Sequence, residues 1–185
     1  MPLGHAMLPK VLWRPVGSRL LRATFHNWYG ARRAILRAWG ATLSDSARIR
    51  PSARIACPWN LTIGRETSIG DHAVIDAHAA ITLGDFVTVS QHAHLYAALL
   101  GPGAEAYAQA RGPAPIVVEH DAWISANTFV GPGITIGAGA ILGSKSVALH
   151  DLAPWTIYGG EPARPLKPRE PRHPPPPPPS APANP

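Results

Sequence analysis

The sequence predicts an all-β solenoid, and three regularities carry that prediction. Aliphatic residues recur six apart: Leu43, Ile49, Ile55; Ile63, Ile69, Ile75; Leu83, Val89, Leu95; Val118, Ile124, Val130; and then Ile136 and Leu142. Four places after an aliphatic position stands a small or apolar residue, as in Ala47, Ala53, Thr67, Ala73, Ala79, Val87, Ala93, Ala122, Thr128, Ala140 and Ser146. The groups of three hexapeptides are spaced by Leu61-Thr62, Ile81-Thr82 and Ile116-Val117, which sets a register of eighteen residues plus two. A fixed short period is the mark of a repeat architecture. Inward and outward residues alternating over short stretches indicate strands rather than helix. Coils stacked at about 4.8 Å pair each strand with the one above and below. An ordinary sandwich, with turns every 8–12 residues, would not hold a six-residue phase.

The elements follow in order. Residues 1–42 form a basic segment with a capping helix. Residues 1–40 hold seven cations (Lys10, Arg14, Arg19, Arg22, Arg32, Arg33, Arg37) and no acid, whereas 41–160 carry −3 and 161–185 carry +2, so the net +6 is local to the N-terminal segment. Residues 18–41 read as one amphipathic helix with Leu20, Leu21, Phe25, Trp28, Ile35, Leu36 and Trp39 as its apolar members. Its first role is to cap the open end of the solenoid, which repeat proteins require. Its alternative role is peripheral contact with an anionic membrane, which suits arginines mixed with Trp13, Trp28 and Trp39. No nucleic acid is expected, because the basic residues belong to no reading motif.

The solenoid occupies 43–153. Beside its aliphatic positions stand Gly64, Gly70, Gly84, Gly131, Gly137 and Gly143, which suit tight bends between strands. The loop at 101–115 is rich in Ala, Gly and Pro. Residues 154–167 form a C-terminal extension, and 168–185 a proline-rich tail, with an unbroken proline run at 174–179, expected to be disordered with polyproline II character. The lone Cys57 excludes a disulfide framework and reads as a packing residue. No apolar run reaches the ~18 residues of a membrane span, and no leader pattern opens the chain. A cytoplasmic protein, membrane-peripheral if its N-terminal helix binds lipid, is the expectation.

The hexapeptides, with a loop after the third coil, resemble the left-handed β-helix acyltransferases, which are acetyl-CoA-dependent trimers. Handedness is implied by that resemblance alone. More narrowly, Arg32-Arg33-Ala34-Ile35-Leu36-Arg37-Ala38-Trp39-Gly40-Ala41, Pro58-Trp59-Asn60-Leu61 and Gly159-Gly160-Glu161-Pro162-Ala163-Arg164 are similar to the colanic-acid-type O-acetyltransferases of polysaccharide synthesis. The resemblance covers roughly 15–170. It implies a homotrimer that moves an acetyl group from acetyl-CoA to a hydroxyl of a sugar or oligosaccharide acceptor.

In that family a histidine, usually followed by Asp, ends the third coil and acts as general base. Here Leu100 and Gly101 stand in those places. Loss of a general base removes a contribution of typically 10²–10⁴ in rate. The chain is therefore expected to be an acetyltransferase with a replacement base, or else a catalytically impaired trimer that serves as a binding or scaffold module. His72, His78, His92, His94 and His120 fall on outward positions of the solenoid, with His72 and His92 stacked one coil apart. His92 or His94, reaching the cleft of a neighbouring protomer, is the candidate replacement. On the donor side, the resemblance assigns the pantetheine to the turns at Ala126 and Ser144 and the phosphates to Arg164 and Lys167; Trp123 is expected either to pack against the cofactor or to stand as an exterior tryptophan at a trimer interface. The usual Thr-Lys before Asp151 is Leu149-His150. A zinc site of the kind hexapeptide carbonic anhydrases carry needs three histidines at spacings this sequence lacks, so no metal is expected.

Overall fold

The computed structural model describes residues 10–98 and 112–170. Leu100, most of the 101–115 loop, and the tail from 171 onward lie outside the described residues. Five coils are stacked. The first is β1 (Thr42–Leu43), β2 (Arg48–Ile49) and β3 (Arg54–Ala56); the second is β4 (Leu61–Ile63), β5 (Ser68–Ile69) and β6 (Val74–Asp76). The third is β7 (Ile81–Leu83), β8 (Thr88–Val89) and β9 (His94–Tyr96); the fourth is β10 (Ile116–Val118), β11 (Trp123–Ile124) and β12 (Phe129–Val130). The fifth is β13 (Thr135–Ile136), β14 (Ile141–Leu142) and β15 (Val147–Ala148), followed by β16 (Thr156–Gly159) and β17 (Arg164–Pro168).

Three flat faces result: β1-β4-β7-β10-β13, then β2-β5-β8-β11-β14-β16-β17, then β3-β6-β9-β12-β15. Pairing is parallel and advances by one coil, as in Leu43 with Ile63 and Ile63 with Leu83. Only β17 turns back, antiparallel to β16. Every residue of the six-fold aliphatic column is buried, and the small column four places on is buried with it, except for the half-buried Ala79. The column's hydroxyls are satisfied, with Thr67 donating to Gly84 O and Thr128 to Ser125 O.

Five of the six glycines beside the aliphatic column, all but Gly131, have a different cause from the one expected. The left-handed backbone lies two places further on, at Glu66, His72, Phe86, His92, Asn127 and Lys145 (φ 51 to 59°). Gly70 is small because a Cβ there would stand 2.7 Å from the backbone N of Gln91 and 2.8 Å from the carbonyl carbon of Ser90. Stacking distance, not bend conformation, selects it.

The expected continuous helix over 18–41 is two helices, α1 (Ser18–Ala23) and α2 (Tyr29–Ala38), broken at an extended Thr24. Arg32 explains the break. Its guanidinium is buried and donates to Thr24 Oγ1, Phe25 O and His26 O, the groups the break leaves without helical partners, and to Ile49 O of the first coil. Arg33 donates to Ala47 O, Arg37 to Leu43 O, and the Trp13 indole to Ile55 O. These four carbonyls lie on the exposed end of the first coil, because alternate peptide groups of a parallel strand point away from its one neighbour. An edge of acceptors calls for a cap of donors, which accounts for much of the local basicity. Leu21, Leu36, Trp13 and Trp39 complete the cap on the apolar side, the two indoles meeting edge to face at 5.5 Å.

Candidate functional site

The three corners of the solenoid carry different chemistry. At the second corner, between the second and third faces, the left-handed residues His72, His92, Asn127 and Lys145 form a vertical ladder. His92 N donates to Asp71 O, Asn127 N to Gln91 O and Lys145 N to Ala126 O. Ala126 and Ser144 are therefore equivalent positions in consecutive coils, and His92 stands in the adjacent column with Asn127 and Lys145. Its ring stacks on His72 at 5.1 Å and 12°. Gly160 N, held by Ser146 Oγ, continues this corner, and Arg164 pairs with Gly159 beside it.

Trp123 and Lys167 stand elsewhere. They share one register row across the second face, Trp123–Ile141–Ile157–Lys167, three strand spacings apart, or roughly 14 Å. Trp123 is partly exposed and donates its indole N–H to Ser90 Oγ. Both Arg164 and Lys167 are exposed on β17. The fold thus gathers His92, Ala126, Ser144 and Arg164 at one corner and sets Trp123 and Lys167 on the adjoining face. Lys145, next to Ser144, adds a cation that the sequence reading overlooked. Arg169 closes this region by donating to Asp121 O and Gly139 O, so ordered chain runs past 167.

His94 faces outward on β9, partly buried, with its ring 5.9 Å from Tyr96, which in turn stacks on Phe129. Burial, and then the nearby His92 and Arg54, lower its pKa from the ordinary 6.5. The shift favours the neutral imidazole over the charged one.

The third corner, from which the chain departs after Ala98, holds what the histidine inventory passed over. Asp76 and His78 are two places apart at the end of β6, so both point outward from one strand end, and Asp76 Oδ1 bonds His78 Nδ1. Asn60 Nδ2 fixes the corner by donating to Ala77 O and His78 O. The pair lines an open cavity of about 880 Å³ between the third face and residues 10–22. Cys57 lies in its wall with φ 53°, not in the packed interior as expected, and burial followed by Asp76 raises its thiol pKa. The Asp-x-His spacing was legible in the sequence; the cavity, made by a segment more than fifty residues away, was not. Among the described residues no group of three or more His, Cys, Asp or Glu side chains could hold a metal.

No protein-family model matches the chain. It is 29% identical over 165 residues to the putative colanic acid biosynthesis acetyltransferase WcaF of Escherichia coli, covering 86% of each chain. To the galactoside O-acetyltransferase of the same organism it is 26% identical over 139 residues, 72% of this chain and 66% of that one. A crystal structure of a hexapeptide-repeat-containing acetyltransferase from Vibrio cholerae matches with TM-score 0.74 at 28% identity, over 89% of this chain and 95% of that one. A second structure of that Vibrio protein, complexed with acetyl coenzyme A, matches with TM-score 0.72 at 29% identity, over 83% and 84% of the two chains. The chain is a hexapeptide-repeat β-solenoid protein similar in sequence and in structure to acetyltransferases.

Proposed function

We propose that the chain is an O-acetyltransferase of polysaccharide biosynthesis, moving an acetyl group from acetyl-CoA to a sugar hydroxyl, and that it works as a homotrimer with its sites between protomers. One observation carries the donor side: two stacked turns, at Ala126 and Ser144, run toward a strand that presents Arg164 and Lys167. A stacked turn offers backbone groups to an amide-bearing arm, and exposed cations suit phosphates. Trp123 offers an aromatic surface on the adjoining face. In the reaction, hydroxyl oxygen attacks the thioester carbonyl directly while a base takes its proton. Of the two candidate bases His92 and His94, His94 is the better placed, because the His92 ring is occupied in a stack with His72.

The N-terminal segment is proposed to touch an anionic membrane with the side that does not cap the solenoid. Its exposed Phe25 and Trp28 favour that reading.

Calorimetric titration with acetyl-CoA tests the donor assignment. The expected result is measurable heat, thermal stabilisation, and loss of both in Arg164→Ala with Lys167→Ala. Absence of heat and of stabilisation overturns the reading. Binding without acetyl transfer to any glycoside favours the alternative, a trimer that keeps its donor site as a binding module.

A further inference from the structure

We infer that the cavity at the third corner is the acceptor site, that it takes a negatively charged sugar, and that His78, oriented by Asp76, is its general base. This rests on the acetyl-transfer reading above.

The base comes first. A general base needs a free ring nitrogen, a fixed tautomer and access to the substrate. Asp76 holds Nδ1 of His78, which leaves Nε2 as the nitrogen that accepts, the arrangement by which a carboxylate orients an imidazole and stabilises its protonated form. Asp76 has a side chain 16% exposed and His78 one 39% exposed, so the orienting group is sheltered and the working group is reachable. The other bonded pair, His120 Nδ1 with Asp121 Oδ2, has both side chains about half exposed, so its orienting carboxylate is not sheltered. His92 and His94 have no carboxylate partner among the described residues. His78 also occupies the corner at which the chain leaves the third coil. Ala97 N donates to Asp76 O, so Ala98 stands one coil above His78.

The charge of the acceptor follows from the cavity wall. Lys10, Arg14, Arg19, Arg22 and Arg54 line it, and among the described residues Asp76 is its only acid. On the other faces, arginines are matched to acids: Arg48 with Glu66, Arg50 with Asp71, Arg65 with Asp85 and Arg37 with Asp45. None of the five cavity cations forms a salt bridge among the described residues. Lys10 is instead poised over Trp59, 5.0 Å from the ring centre. Five cations around one sheltered carboxylate leave the described wall of the cavity net positive. The carboxylate of a uronic acid fits that charge.

The step balances without another reactant. The acceptor oxygen bonds to the acetyl carbonyl carbon as its proton moves to His78 Nε2. The carbon–sulfur bond then breaks, and the departing thiolate of coenzyme A takes that proton back, while Nδ1–H stays on Asp76 throughout.

The test compares methyl β-D-glucuronide with methyl β-D-glucoside as acceptors, using the full chain and acetyl-CoA. Wild type should give a lower KM for the glucuronide, and Arg19→Ala with Arg54→Ala should raise that KM without changing the glucoside's. His78→Asn should lower kcat on the order of 10²–10⁴-fold and remove the acid limb of the pH–rate profile, with the heat of acetyl-CoA binding and the thermal midpoint unchanged. Asp76→Asn should lower kcat and displace that limb, which a merely structural role would not do. Equal KM for the two glycosides overturns the charge assignment. Wild-type turnover in His78→Asn, or loss confined to His92→Asn with His94→Asn, overturns the base. Acetyl-CoA binding with no transfer to either glycoside overturns the site while leaving the donor reading intact; failure to bind acetyl-CoA overturns the donor reading itself.

Discussion

Arg32 shows how much a single residue can decide in this chain. A guanidinium without solvent contact is costly unless its hydrogen bonds are met. Here burial lowers its pKa, and its three nitrogens find four acceptors drawn from the helix break and the first coil. The same side chain therefore ends α1, starts α2 and covers Ile49 O. Replacing it with Met keeps the stem and discards the donors, leaving Ile49 O buried and unpaired at about 1–3 kcal/mol and weakening three part-buried sites, of which Phe25 O keeps Trp28 N. Because the loop carbonyls can regain some water, Arg32→Met is expected to lose about 2–4 kcal/mol in urea unfolding. Arg32→Lys should recover little of this, since one ammonium cannot span the fork. A change within about 0.5 kcal/mol, the range of ordinary surface substitutions, would remove Arg32 from this role.

At the level of elements, the coil was legible because its determinants are local and repeated. Ile49, Ile69, Val89 and Ile124 sit in register on one face, and any six-residue count finds them. What the count could not supply is how closely neighbouring coils approach. Gly70 was read as a bend residue, yet the bend is two places on at His72, and Gly70 answers to the backbone of Ser90 and Gln91 twenty residues away. Those atoms belong to a strand held above and below, so they cannot yield as a side-chain end would. Gly70→Ala is accordingly expected to cost about 1–3 kcal/mol, the range for forced overpacking, measured as a fall in the chemical midpoint. Stabilisation, the usual result of Gly→Ala where space allows, would contradict the close approach. The N-terminal helix was less legible for the opposite reason. Its apolar spacing is continuous through residues 18–41, and the interruption comes from a tertiary partner, the carbonyl edge of the first coil, which no helical period encodes. The Asp76–His78 pair falls between these cases: its spacing is local, and the cavity that gives it meaning is not.

For the molecule as a whole, the distribution of charge and apolar surface has one asymmetry that the cap does not explain. Four of the solenoid's eight described acids are paired with arginines, and Arg32, Arg33 and Arg37 are committed to the first coil's carbonyls. Of the nine large hydrophobic residues exposed among the described residues, six lie in the N-terminal segment: Val11, Leu12, Val16, Leu20, Phe25 and Trp28. Single exposed apolar residues are ordinary, but this concentration, next to the net-positive cavity that Arg14, Arg19 and Arg22 line, is what an interfacial segment presents to an anionic bilayer. Among the described residues no helix is long and apolar enough to cross a membrane, so any contact through this segment lies along the surface. The chain is expected to sediment with vesicles containing phosphatidylserine and not with phosphatidylcholine alone. Binding should weaken as salt shortens the screening length from ~10 Å at 0.1 M to ~3 Å at 1 M. Phe25→Ser with Trp28→Ser should abolish it while the thermal midpoint holds, because both side chains are largely exposed, at 71% and 60%. Equal sedimentation of wild type and double variant, or none with the anionic vesicles, would leave that face without a lipid partner.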